Sequence, residues 1–146
     1  MLFRSAGAEN YSKEHKTDVI NLDIGGGTTN LSYFHLGHIQ DTGCLDIGGR
    51  LIKVDRKNRV SYISEKLQRY MQSHGISMSL GEELTETKLQ PILQLFVSVL
   101  EEAVGLRPVT ENFHYFATKA FQPFPKPKCI SFSGGVADIL DRKSVV

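Results

Sequence analysis

The sequence predicts an α/β domain with a mixed sheet of consecutive antiparallel strands, followed by helices. Three segments with a strand pattern, residues 19–24, 30–36 and 38–45, are separated by gaps of turn length. Helical patterns come next, and a lone strand pattern at residues 129–132 follows them. We expect residues 129–132 to join the same sheet, parallel to residues 19–24, because one sheet covered by helices buries all of these patterns together.

Composition and charge favour one globular domain and exclude two classes of partner. The 146 residues are 40% hydrophobic and 23% charged, which is ordinary for a globular protein with a core. The formal net charge of +1 gives no electrostatic basis for binding nucleic acid or an anionic membrane. No apolar run approaches the roughly 20 residues that cross a bilayer, and no signal peptide is visible. We expect a cytoplasmic protein in which Cys44 and Cys129 are reduced, buried thiols.

The first elements are a polar segment and an alternating strand. Residues 1–17 are polar and form either a short helix that ends before the first strand or a frayed terminus. In residues 19–24 the apolar side chains of Ile20, Leu22 and Ile24 share one face, so this segment is a strand with a second, partly polar face. It ends beside the carboxylate of Asp23.

A glycine turn between the first two strands organises the chain. Glycine lets the backbone approach a ligand closely, and successive N–H groups in such a turn form a concave surface that suits phosphate. Two threonine hydroxyls add donors, and Asp23 is placed to hold a hydrated Mg²⁺ on the phosphates. A glycine hairpin turn without a ligand is the alternative. The predicted phosphate contacts are Gly25, Gly26, Gly27, Thr28 and Thr29.

Two other phosphate-binding motifs are excluded at this turn. No Gly-Lys-Ser/Thr follows the glycines, so the turn is not a P-loop. No Gly-x-Gly-x-x-Gly opens a helix, because position 30 is Asn30 and residues 31–34 have a strand pattern.

The middle of the chain predicts a small hairpin and two helices. Residues 51–54 and 59–63 alternate around a polar turn. A helix over residues 64–71 has Ser64 as its N-cap. The strongest helical pattern covers residues 89–104, with Pro91 in its first turn and Gly105 just past its end. Its wide apolar face predicts cover on more than one side, and a helix that binds a partner is the alternative.

The final third predicts a short element, a linker and a second glycine turn. Residues 110–121 carry aromatic side chains and form a helix or strand against the core, and the Pro-Lys repeat after them is a stiff, extended linker. The strand at residues 129–132 is followed by Ser133, Gly134 and Gly135, and then by a helix over residues 136–140. A strand, two glycines and a helix start place N–H groups at the turn and let a flat ring lie against backbone. An ordinary strand-to-helix turn is the alternative.

The segment Asp23-Ile-Gly-Gly-Gly-Thr-Thr-Asn30 resembles the second phosphate loop of the actin/Hsp70/sugar-kinase superfamily of ATPases. This resemblance implies an RNase H-like domain of the actin/Hsp70 type and adds Asn30 to the phosphate contacts. An Asp often stands in the superfamily loop where this chain has Asn30, so a carboxylate that could help with metal or water is missing here.

The second glycine turn resembles the adenosine motif of the superfamily, which lies across the cleft from the phosphate loop. The resemblance therefore assigns Ser133, Gly134 and Gly135 to adenosine binding. It also implies that Gly48-Gly49 ends the third strand and turns the chain away from the cleft. Asp46, just before these glycines, either faces the cleft or caps local N–H groups.

A wider run, from the first glycine turn through residues 42–50 and on to residues 130–138, is similar to the large-subunit family of ethanolamine ammonia-lyase reactivating factors. The resemblance implies that residues 1–17 precede an incomplete second lobe, residues 18–146, whose first lobe is absent. It also implies that the protein binds ATP or ADP with Mg²⁺. The ATP would drive release of damaged adenosylcobalamin from the lyase, with the lyase and free cobalamin as partners.

Three functions stay open at this point. The first is the ATP-dependent, chaperone-like reactivase of ethanolamine utilisation, for which association with a bacterial microcompartment is left open. The second is a lobe of another superfamily ATPase or of a sugar or acetate kinase, although no base for a phosphotransferase stands out in the sequence. The third is an interaction domain of the same fold that does not hydrolyse nucleotide. Neither a catalytic residue nor an oligomeric state is predicted.

Overall fold

A mixed sheet, a small hairpin and four helices form the part of the chain that the computed structural model describes, which is residues 2–118 and 121–136. No helix within these residues is long and apolar enough to span a membrane. In chain order the elements are α1 (Leu2–Glu14), β1 (Asp18–Ile24), β2 (Thr29–His35), β3 (His38–Leu45), β4 (Ile52–Val54), β5 (Val60–Ile63), α2 (Glu65–Ser73), α3 (Glu86–Ala103), α4 (Glu111–Phe116) and β6 (Cys129–Ser133).

The main sheet has the strand order β3-β2-β1-β6. Its first three strands are antiparallel neighbours, and β6 pairs with β1 in parallel. The predicted α/β class, the three consecutive antiparallel strands and the parallel position of residues 129–132 are therefore confirmed. The β2–β3 turn has positive φ at both Leu36 and Gly37, which gives the tight hairpin that the sequence predicts.

Both faces of the sheet are covered, which makes β1 its buried central strand. On one face, Ile20 and Leu22 pack against residues of α3 and α4, including Val99 and Phe116. On the other face, Val19 packs with Ala8 of α1. The alternation predicted for β1 is confirmed, and Val19 and Asn21 on its second face are also buried.

Helix α1 confirms the first alternative for residues 1–17, a helix that ends before the first strand. Its buried Ser12 donates its hydroxyl to the carbonyl oxygen of Thr17 at 2.7 Å and accepts the N–H of Gly37 at 2.9 Å. These bonds tie the helix to both the start of β1 and the β2–β3 turn.

The structure moves one predicted helix start and confirms the predicted N-cap position of another. Helix α3 begins at Glu86, because the Thr85 side chain accepts the N–H of Lys88, and Pro91 therefore lies inside the helix instead of in its first turn. Ser64 does occupy the N-cap position of α2, but its side chain makes no capping hydrogen bond.

The end of α3 agrees with the sequence. Gly105 has φ of +75°, and its N–H donates to the carbonyl oxygen of Glu102. The N–H of Leu106 donates to the carbonyl oxygen of Glu101. This paired arrangement satisfies the last carbonyls of the helix and needs a left-handed residue at Gly105. Cover on more than one side is confirmed only in part, because Val99 is buried whereas Val97 is 52% exposed.

The segment after α3 contains a helix and a packed, irregular stretch. Residues 111–116 form α4, which resolves the helix-or-strand alternative for that segment. The expected stiff linker is wrong, because Phe124 is buried and its N–H donates to the carbonyl of Ala103 at 2.9 Å. Burial of Phe124 anchors the proline-rich stretch to the end of α3.

The two cysteines lie in strands, Cys44 in β3 and Cys129 in β6. Both are free thiols, as predicted, but they are only partly buried. Past Val136, the predicted helix over residues 136–140 lies outside the described residues.

Candidate functional site

The two glycine turns meet at one edge of the sheet. Strands β1 and β6 are parallel neighbours, so their carboxyl ends lie side by side and the turns that follow them are adjacent. A cleft of about 120 Å³ opens between these turns. The structure therefore brings together the two turns that the sequence singled out. The described residues that line this cleft are Gly25, Gly26, Gly49, Arg50, Gly135 and Val136.

The first glycine turn presents free backbone donors. The N–H of Gly25 donates to the carbonyl of Thr28 at 2.9 Å and closes the turn. Within the described residues, the N–H groups of Gly26, Gly27 and Thr28 form no backbone hydrogen bond. Three successive N–H groups without a backbone acceptor in a turn are the donor pattern that binds phosphate oxygens.

A second pair of glycines buttresses this turn from behind. The N–H of Gly49 donates to the Gly25 carbonyl at 2.9 Å, and the N–H of Arg50 donates to the Gly26 carbonyl at 2.8 Å. A Cβ on Gly48 would stand 2.4 Å from the Gly26 oxygen, so only glycine fits at that position. The expectation that Gly48-Gly49 ends the third strand is wrong, because β3 ends at Leu45. These bonds hold Gly49 and Arg50 at the cleft wall, and the turn of the chain away from the cleft stays a prediction.

The two threonines after the glycines have different positions. Thr29 is fully buried, and its hydroxyl donates to the carbonyl of Ile47 at 2.7 Å. This bond joins the start of β2 to the segment that leads into Gly48. Thr28 is partly exposed at the end of the turn. The hydroxyl proton of Thr29 is thus donated inside the protein, whereas Thr28 keeps a side chain on the surface side of the turn.

Three of the predicted site residues form a row across the sheet. Asp23 is the register partner of Asn30 on β2 and of Ser133 on β6. Directly paired residues have neighbouring Cβ atoms on one face. A Cβ on Gly134 would stand 2.6 Å from Asp23 Oδ1 and 2.4 Å from the Ile24 carbonyl oxygen. The Asp23 carboxylate therefore lies against the second glycine turn.

Gly134 and Gly135 differ in the space that their surroundings leave for a side chain. Gly134 has φ of +89° and is in close contact with the end of β1. No described residue lies within 4 Å of the position that a Cβ on Gly135 would take. Gly134 is therefore required by the fold, whereas Gly135 leaves open space beside the cleft.

Two polar residues at this site were missed by the sequence reasoning. Buried Asn21 donates from Nδ2 to Ser133 Oγ at 3.0 Å and accepts from Ser131 Oγ at 2.9 Å. These bonds fix the Ser133 oxygen as an acceptor and leave the proton of Ser133 available. A polar side chain in the middle of an otherwise apolar strand was the available signal for Asn21. Arg50 carried no comparable signal, since only the fold places it beside Gly26.

Asp46 takes neither of its predicted roles. Its carboxylate accepts a 2.6 Å hydrogen bond from Lys66 Nζ on α2 and does not line the cleft. The ion pair is partly exposed and joins α2 to the end of β3. Within the described part of the chain, no group of three or more His, Cys, Asp or Glu side chains is arranged to hold a metal ion directly.

Comparison with known proteins places the chain in a family. The family model described as "Ethanolamine utilisation protein EutA" matches residues 3–146. Two curated proteins are each 30% identical to this chain over 135 residues. Both are named ethanolamine ammonia-lyase reactivase EutA, one from Salmonella typhimurium strain LT2 and the other from Escherichia coli strain K12. Each match covers 91% of this chain, which spans only 28% of the length of either relative. The chain belongs to the EutA family of ethanolamine utilisation proteins.

Proposed function

We propose that this chain is the nucleotide-binding second lobe of a reactivase that acts on adenosylcobalamin-dependent ethanolamine ammonia-lyase. The observation that carries the proposal is the meeting of two glycine turns at one cleft, at the carboxyl ends of β1 and β6. The names of the two relatives, each an ethanolamine ammonia-lyase reactivase, support the identity of the client. Three antiparallel strands followed by a parallel one support an RNase H-like domain of the actin/Hsp70 type over residues 18–146.

In this proposal the cleft binds ATP or ADP across its two sides. The free N–H groups of Gly26, Gly27 and Thr28 donate to phosphate oxygens. Thr29 holds the turn in shape from the interior through its bond to Ile47. The open space beside Gly135 accepts the flat adenosine ring, with the Ser133 hydroxyl as a further polar contact. Gly25 and Asn30 are the remaining phosphate contacts, one near each end of the turn.

Mg²⁺ fits this site as a hydrated ion. Magnesium keeps several waters and needs only one or two carboxylates together with phosphate oxygens. Asp23 offers one carboxylate at the end of β1, and the amide of Asn30 lies opposite it in register. The ion would neutralise phosphate charge, and Asp23 would hold it through water.

The nucleotide then serves to change the affinity of the protein for its client. A ligand shifts a conformational equilibrium only by its differential affinity for the two states. ATP bound at the two turns favours the state that opens the lyase, damaged cobalamin leaves, and intact adenosylcobalamin enters. The lyase and free cobalamin are the partners in this account.

A reactivation assay with the intact protein tests the proposal. Ethanolamine ammonia-lyase carrying a damaged, non-reactive cobalamin is incubated with the protein, adenosylcobalamin, Mg²⁺ and ATP. Released cobalamin is measured after filtration, and ammonia production reports recovered activity. We expect both signals to require ATP and the protein together. Equal recovery without nucleotide, or no release in any mixture, would contradict the proposal.

A second candidate is a domain that binds nucleotide without hydrolysing it, and Asn30 favours it. A neutral amide cannot accept a proton from the attacking water as a carboxylate can. Phosphate release measured in the same assay separates the two functions. Reactivation with ATP and with a non-hydrolysable analogue to the same extent would identify the second.

A further inference from the structure

Among the described residues that line the cleft between the glycine turns, Arg50 is the one with a charged side chain. The other lining residues within the described chain are glycines and Val136. A cleft with walls of bare backbone offers dipoles but little net charge to a polyphosphate. The guanidinium of Arg50 therefore adds a positive charge to this wall.

The fold holds Arg50 directly over the first glycine turn. Its N–H donates to the Gly26 carbonyl at 2.8 Å, which fixes its backbone. Its Cδ lies 3.4 Å, and its Nε 3.7 Å, from the position that a Cβ on Gly26 would take. The side chain thus lies beside Gly26, and the absence of a side chain on Gly26 gives it room.

Among the described residues, none engages the guanidinium of Arg50 in a hydrogen bond or an ion pair. Arg59, Arg69 and Arg107 each pair with a carboxylate. In contrast, the Arg50 side chain takes part in no hydrogen bond or ion pair within the described chain. Since Arg50 is exposed at the cleft, an incoming anion need not displace an internal partner.

We propose that Arg50 is a specificity residue that binds a phosphate beyond the first one of a nucleoside di- or triphosphate. This inference rests on the proposed function, because it assigns a contact within the same nucleotide site. A guanidinium donates two parallel hydrogen bonds to phosphate, and its charge strengthens both. Beside the Gly26 and Gly27 donors, it favours ATP and ADP over AMP and adenosine.

The test uses Arg50→Gln and Arg50→Lys in the intact protein, with Arg59→Gln as a matched control on the β4–β5 hairpin, which does not line the cleft. Calorimetry gives the dissociation constants for ATP, ADP, AMP and adenosine, and thermal melting confirms that each variant is folded. Loss of a charge-assisted bidentate contact weakens binding about ten- to a hundredfold. We expect that loss for ATP and ADP in Arg50→Gln, a smaller loss in Arg50→Lys, and unchanged adenosine binding. The control should bind all four ligands as the unaltered protein does.

The outcomes separate this inference from the function on which it rests. If the unaltered protein binds ATP and Arg50→Gln binds it equally well, the role of Arg50 is overturned and the nucleotide site stands. If Arg50→Gln weakens adenosine as much as ATP, Arg50 only supports the turn, and the specificity role is overturned. If the unaltered protein binds neither ATP nor ADP, the proposed function fails and this inference fails with it.

Discussion

Gly48 lies against the carbonyl of Gly26, so closely that a Cβ on Gly48 would stand 2.4 Å from that oxygen. This contact joins the segment after β3 to the turn after β1. Two backbone hydrogen bonds, from Gly49 to Gly25 and from Arg50 to Gly26, reinforce it. The shape of the proposed phosphate turn therefore depends on a glycine that touches no ligand.

Replacing Gly48 with alanine should destabilise the protein and distort the turn. The added methyl group has no space beside the Gly26 carbonyl, and overpacking of this kind costs about 1–3 kcal/mol. Chemical denaturation measures the loss. The matched control is Gly27→Ala, because no atom of the described residues lies within 4 Å of the Cβ position on Gly27. Equal stability of the two variants would show that the Gly48 contact is not a constraint.

Gly134→Ala should lower the stability of the protein, whereas Gly135→Ala should weaken nucleotide binding. Gly134 has positive φ and no space for a side chain, so alanine there should lower the melting temperature by several degrees. Gly135 has open space, so alanine there should leave the melting temperature unchanged and weaken nucleotide binding. Melting curves and ATP titrations of both variants decide the matter. Unchanged ATP affinity in Gly135→Ala would show that the adenosine ring does not lie at this turn.

Replacing Asp23 with asparagine should reduce the Mg²⁺ dependence of nucleotide binding. The change is nearly isosteric and keeps the strand end, but a neutral amide is a poor partner for a hydrated dication. Calorimetry of ATP binding with Mg²⁺ and with EDTA measures the ratio of the two affinities. That ratio should fall towards one in Asp23→Asn. If the variant keeps the full ratio, Asp23 has no part in holding the metal.

Glu102→Ala should destabilise the protein more than Glu101→Ala. Buried Glu102 accepts the N–H and the hydroxyl of Thr110 at 2.9 and 3.0 Å, and its loss leaves these donors without their acceptor. Removing a buried hydrogen-bond acceptor of this kind costs about 1–3 kcal/mol. Glu101 pairs with Arg107 at the surface, where an ion pair contributes about 0–1 kcal/mol. Denaturation midpoints of the two variants should differ accordingly, and similar midpoints would contradict the assignment.

The Asp55 carboxylate should stabilise the β4–β5 hairpin only above acid pH. Hydrogen bonds from the N–H groups of Arg59 and Lys57 lower the pKa of Asp55 in the folded protein. A lowered folded pKa means that the stabilisation is present above the unfolded pKa and is lost as pH falls through the folded one. Asp55→Asn should therefore melt slightly lower than the unaltered protein at neutral pH. The gap should close in strong acid, and a gap that stays constant with pH would rule out the charge as its cause.

The sheet was predictable because its signals are local. Residues 19–45 show alternating side chains and turn-length gaps, and Leu36-Gly37 supplies the hairpin turn. The parallel return of residues 129–132 also followed from the order of the patterns. The start of α3 was misplaced because the position of Pro91 carried more weight than the capping side chain of Thr85.

The candidate site was predictable only where glycines mark it. The turns at Gly25 and Gly134 are visible in the sequence, and their meeting follows once β1 and β6 are neighbours. The contact of Gly48 with Gly26 and the position of Arg50 depend on long-range packing, which has no periodic signal. The burial of the Thr29 hydroxyl also depends on long-range packing, and nothing in the sequence distinguishes Thr29 from Thr28 in this respect.

The central claim is that the two glycine turns bind one nucleotide. A crystal structure of the intact protein grown with ADP and Mg²⁺ tests it most directly. We expect the phosphates on the N–H groups of Gly26, Gly27 and Thr28 and the adenosine against Ser133, Gly134 and Gly135. Nucleotide bound elsewhere, or a cleft that stays empty at saturating ADP, would contradict the account.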